Sequence, residues 1–142
     1  MLFASVLLVI QIGALANQWM WKQAELLSYR STMQDLTSTI RAMRFRALAR
    51  QRTFELRIDA ARGGLQVVAI QQKRGGYIQT VERTIWLPKG LEITEAPTLV
   101  TSLPTGALST GSILVTAPSY QRAFRVTTDP TGEVRLDEEP TS

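Results

Sequence analysis

No glycine or proline stands between Gly13 and Gly63. These two residue types are the strongest local breaks a chain carries, so a stretch this long without either is free to run as one helix. Its first part, MLFASVLLVIQIGALANQWMW at residues 1–21, holds no charged side chain. Its second part keeps a helical period. Leu26, Tyr29, Met33, Leu36, Ile40, Met43 and Ala47 recur at alternating steps of three and four. The spacing predicts a single helix from about residue 2 to about residue 51, on the order of 75 Å long.

The two halves carry different expectations. An uncharged run of roughly 20 residues is what a membrane-spanning helix needs. Leu2, Phe3, Val6, Leu7, Val9, Ile10, Ile12 and Leu15 supply its apolar surface, and Gln11, Asn17 and Gln18 are its polar interruptions. Trp19, Trp21 and Lys22 close it, as aromatic rings and a cation do where a spanning helix meets headgroups. Two other readings compete. Ala14-Leu15-Ala16 has the small-x-small form of a signal-peptide cleavage site, although no Lys or Arg precedes the apolar run. A fully buried core helix would need the rest of the chain to cover it on all sides. In the second half the stripe is short for sustained heptads, which favours a face packed on a sheet over a coiled-coil seam. Arg30, Arg41, Arg44, Arg46, Arg50 and Arg52 then read as a solvated face, favourable toward a helix C-terminus.

From Thr53 the period becomes two. Phe54, Leu56 and Ile58 share one face of a strand over Thr53–Asp59. Further strands are expected at 65–71, 77–87, 91–94, 112–117, 122–128 and 133–136, separated by Gly- or Pro-bearing turns. Residues 96–111, rich in Pro, Gly, Ser and Thr, read as an irregular loop. The tail 137–142 reads as frayed. The expected fold class is α+β. A long N-terminal helix, membrane-spanning in its first half and amphipathic in its second, packs on a small antiparallel β-sheet or sandwich head. The expected divisions are 1–21, 22–52 and a β-rich head at 53–142.

Composition narrows the chemistry. The chain has 142 residues, no His and no Cys. That excludes a Ser-His-Asp triad, a Cys nucleophile, a disulfide and zinc sites of the usual ligand types. The formal charge is +4, but it is unevenly placed. Residues 1–52 carry seven basic groups against two acidic ones, and residues 53–142 carry nine against ten. A uniformly basic domain, the usual footprint of a nucleic-acid binder, is therefore not present. Acidic residues crowd the last hairpin (Asp129, Glu133, Asp137, Glu138, Glu139), without the alternating carboxylates of an EF-hand loop. Gly63-Gly64 and Gly75-Gly76 fit hairpin turns and not phosphate cradles, since neither opens a helix. No catalytic, cofactor or metal site is expected.

A long apolar helix running unbroken into an amphipathic half and then a small β head resembles the layout of type IV pilins and pseudopilins. The Arg- and Ala-rich helix end Ser38–Arg52, followed by the strand Phe54–Ile58, resembles the GspH/FimT class at its helix-to-strand junction. Leu103–Gly106, Ser109–Val115, Arg122–Val126 and Thr131–Leu136 resemble that class's closing hairpins. The resemblance implies a non-enzymatic minor pseudopilin of a type II secretion system or a related pilus machine. Its partners would be other pilins or pseudopilins through helix packing, the inner membrane and the assembly machinery. The head would lie in the periplasm, with processing and methylation of the mature N-terminus.

Three departures qualify the match. The chain opens at Met1-Leu2-Phe3-Ala4-Ser5, which looks like the segment just after the class's processing site, so Met1 is expected to be an internal methionine. The acidic residue near the mature N-terminus has no equivalent, Glu25 lying far past the apolar run. The Gly-Arg-x-Arg-like hairpin of DNA-uptake members appears here as Gly132-Glu133-Val134-Arg135. Arg135 is left as the candidate DNA contact among acidic neighbours, which disfavours DNA. The alternatives are a FimT-like DNA-binding protein and a single-span anchored protein that never polymerises. The visible cations come after the apolar run, which by itself would favour a cytoplasmic head, and a basic leader upstream would reverse that.

Overall fold

The computed structural model describes residues 2–141, with side chains from Val9 onward. Helix α1 spans Leu2–Arg50. It stops at Gln51, whose backbone turns left-handed at φ 53°. The Arg52 N–H donates back to the Ala47 carbonyl at 3.2 Å. This is the Schellman arrangement, with Gln51 where glycine is commonest. The chain forms two compact units, Met1–Ser31 and Thr32–Ser142, and the division falls inside α1.

Among the described residues the second unit holds eight strands. They are β1 Thr53–Asp59, β2 Gly64–Lys73, β3 Gly76–Trp86, β4 Glu92–Glu95, β5 Leu99–Ser102, β6 Gly111–Ala117, β7 Arg122–Thr128 and β8 Val134–Pro140. They make two four-stranded sheets, ordered β3-β2-β1-β5 and β4-β6-β7-β8, with every pairing antiparallel. The amphipathic part of α1 lies against these sheets. Met33, Leu36, Ile40, Met43 and Ala47 are all buried. So are Phe54 and Leu56 of β1, Val67 of β2, Ile113 and Val115 of β6, and Phe124 and Val126 of β7. Neither a helix stripe nor a sheet face of this composition is stable in water, and each buries the other.

Two sequence expectations fail here. Residues 96–111 are not wholly irregular. Leu99–Ser102 is a strand that pairs with β1, Val100 opposite Leu56 and Ser102 opposite Phe54. The edge of β1 needs backbone partners, and four residues with Val100 and Ser102 turned inward suffice. Residues 137–140 are not frayed either, because β8 runs to Pro140 against β7. Its outward carboxylates do not weaken a ladder made of main-chain bonds. Pro140 lies at the last position of an edge strand, where a missing N–H is tolerated.

β2 and β3 slip register between Val67 and Val68, whose partners are Arg83 and Val81, so Glu82 stands unpaired as a bulge. A bulge re-aims successive side chains. Here both neighbours reach α1. Glu82 accepts from Arg50 at 3.0 Å, and Arg83 donates to Asp35 at 2.7 Å and to the Thr39 hydroxyl at 2.8 Å.

Candidate interaction surfaces

Between Val9 and Trp21, α1 leaves its large apolar residues uncovered. Val9, Ile10, Ile12, Leu15, Trp19, Met20 and Trp21 each expose more than half of their surface. Lys22 is exposed and Leu26 half-buried. Tyr29 is buried, and its hydroxyl donates to Glu25. Large apolar side chains exposed in this number are a feature that association surfaces share. The side chains of Leu2, Phe3, Val6 and Leu7 lie outside the described residues.

Among the described residues no helix is long and apolar enough to cross a membrane. The expectation of a spanning segment at residues 1–21 therefore finds no support in the structure. Gln11, Asn17 and Gln18 interrupt the apolar surface of that segment.

The arginines of α1 are not simply a solvated face. Arg41 Nη2 donates to the Val134 carbonyl and Arg44 Nε to the Gly106 carbonyl, each at 2.8 Å. Both acceptors belong to loops or strand ends far along the chain, so the helix clasps the closing hairpin and the 103–106 turn. Gly132, at φ +92°, makes room for this. A Cβ there would stand 2.1 Å from Arg44 Nε.

These residues line a groove of about 510 Å³ formed by Arg41, Arg44, Phe45 and the segment Gly132–Leu136. Arg135, the candidate DNA contact in a sequence that disfavours DNA, lines this groove with Arg41 and Arg44. Its guanidinium lies 4.0 Å from Asp137, and Glu133 lines the same groove. The acids of the last hairpin do not gather into a metal site. Asp129 accepts from Thr131, Glu139 from Arg125 at 3.3 Å, and among the described residues no three such side chains converge.

No protein-family model matches the chain, and no curated protein matches it in sequence. Solved structures do match in fold. The minor pseudopilin EpsH of the Vibrio cholerae type 2 secretion system superposes with a TM-score of 0.64 at 18% identity, over 77% of this chain and 95% of that one. A second EpsH crystal structure gives 0.61 over 80% and 94%, again at 18% identity. The type IV minor pilin FimU of Pseudomonas aeruginosa gives 0.63 at 14% identity, over 80% and 90%. The fold is pilin-like. It agrees with the GspH/FimT resemblance read from the helix-to-strand junction and the closing hairpins.

Neither the clasping role of Arg41 and Arg44 nor the groove was anticipated from sequence. The signal available was the pairing of helix arginines with Gly106 and Gly132, which becomes meaningful only once the turns are placed.

Proposed function

We propose that this chain is a non-enzymatic structural subunit of a pilus-like filament, most specifically a minor pseudopilin of a type II secretion system or a related machine. The observation that carries the reading is the division of α1. One half is buried in a pilin-like head, and the other offers Val9, Ile10, Ile12 and Leu15 to solvent. A single chain cannot cover that surface, and neighbouring helices of the same kind can. In this reading the apolar half rests in the inner membrane before assembly and in the filament core afterwards, with the head in the periplasm. Trp19, Trp21 and Lys22 would mark the membrane interface, and Leu2, Phe3, Val6 and Leu7 would join the packing surface.

Val9→Asp tests it. A buried unpaired carboxylate at a helix interface costs about 3 kcal/mol or more. The variant should be expressed and folded but absent from sheared or crosslinked filaments. Normal incorporation would count against assembly through this face and would favour a non-polymerising anchored protein.

A second reading has one specific observation behind it: Arg41, Arg44, Arg135 and exposed Phe45 share a groove. Cations beside an aromatic ring suit a nucleic-acid strand. Against this, Arg41 and Arg44 already donate to carbonyls, and Glu133 and Asp137 lower the local potential. Titration with DNA at low and high salt separates the readings. Tight, salt-sensitive binding lost in Arg135→Ala would favour the DNA-binding alternative.

A further inference from the structure

The outer face of the β3-β2-β1 sheet, away from α1, carries an ordered array. Register places Asp59, Gly64 and Trp86 in one cross-strand row and Arg57, Gln66 and Thr84 in the next. The intervening row, Ile58, Leu65 and Ile85, faces the core side, as the alternation of the pleat requires. Five of the six outer positions bear side chains and Gly64 bears none, which leaves its backbone open to a neighbouring ring. Together with Arg62 and the half-buried Ile58 the array forms a trough of about 300 Å³, at the small end of ligand sites.

Trp86 gives the trough a flat wall. A Cβ on Gly64 would lie 2.7 Å from Trp86 Cζ3, 3.1 Å from Cε3 and 3.3 Å from Cη2. The benzenoid ring therefore lies directly on the Gly64 backbone. The residue nonetheless keeps 63% of its surface exposed, so one ring face is seated and the other open. Covering a strand glycine explains the seated face. The same lining also supplies an amide, a hydroxyl, a carboxylate and two guanidinium groups.

Their charges cancel locally. Arg57 donates to Glu55 at 3.4 Å and to Gln79 at 3.0 Å. Arg62 lies 3.8 Å from Asp59, and its backbone N–H donates to the same carboxylate. Among the described residues of the trough, no free cation cluster is presented for a phosphate. What remains is an open aromatic face, an amide at Gln66, a hydroxyl at Thr84 and a carboxylate edge at Asp59.

We propose that this trough binds a neutral pyranose unit of a glycan. A pyranose has one face of C–H groups, which suits the electron-rich face of an aromatic ring. Its equatorial hydroxyls both donate and accept, as Gln66 and Thr84 do. Trp86 is the stacking platform, Gln66 and Thr84 set orientation, and Asp59 accepts from a sugar hydroxyl. Gly64 keeps the ring flat.

The test uses the full chain carrying Trp19→Phe and Trp21→Phe, so that Trp86 is the sole indole emitter among the three tryptophans. Its fluorescence is titrated with cellotetraose, with N,N′,N″,N‴-tetraacetylchitotetraose and with AMP. A saturable change with either oligosaccharide is expected, weakened about tenfold or more by Gln66→Ala with an unchanged melting temperature. Gly64→Ala, which displaces the ring, should abolish it. No saturable change up to about 10 mM sugar overturns the proposal. So does preferential binding of AMP, or an affinity that Gln66→Ala leaves untouched.

Discussion

Gly132 shows how much one missing carbon can decide. Its φ of +92° and the 2.1 Å separation of a would-be Cβ from Arg44 Nε both exclude a side chain. Gly132→Ala would strain the turn and expel the guanidinium from its bond to Gly106. A loss of about 1–3 kcal/mol in unfolding free energy is expected from the backbone alone, read as a lower urea midpoint. At the start of the same turn, Asp129 accepts from both the hydroxyl and the backbone N–H of Thr131. These bonds hold its carboxyl below the ordinary 3.8. Because the folded value is the lower one, its contribution is complete above the unfolded pKa and disappears as pH falls through the folded one. Asp129→Asn should therefore differ from the parent in melting temperature at neutral pH. The two curves should begin to draw together once pH falls below the ordinary carboxylate value and meet below the folded one.

At the scale of elements, burial outweighs charge. Leu36 on α1 is fully buried, and Leu36→Ala is expected to cost about 2–5 kcal/mol. Its neighbour Asp35 pairs with Arg83 at 2.7 Å, but both side chains are nearly half exposed. Asp35→Asn should cost under about 1 kcal/mol. Urea unfolding of the two variants side by side checks the ranking. The same contrast explains what could be read from sequence. The stripe from Met33 to Ala47 and the alternation Phe54, Leu56 announce themselves because burial on one face imposes a period. β5 escaped because four residues between Pro97 and Pro104 hold too few alternations to register. The acidic end of β8 escaped because edge pairing uses main-chain atoms, about which side-chain polarity says little. Arg41 and Arg44 read as solvated because their acceptors lie 93 and 62 residues away. The trough at Trp86 was hidden for a similar reason: Gly64 reads as a turn residue but is the first residue of β2.

The whole chain combines a compact unit from Thr32 onward with a preceding unit in which the large apolar residues from Val9 to Trp21 are exposed. Brief trypsin treatment should cut after exposed Lys22 well before any site in the β sheets. It should leave a resistant product that retains Ser142, identified by mass. Rapid cleavage within the sheets instead would mean that the second unit is not a stable body. That unit is also mechanically directional. The buried stripe of α1, the carbonyl bonds of Arg41 and Arg44 and the Arg83–Asp35 pair succeed one another along the helix axis. Tension applied through the N-terminal part of α1 reaches them in shear, so they share the load and must yield together. A force across the axis would open them one at a time. The head should therefore resist a pull along the axis of its own helix better than one across it.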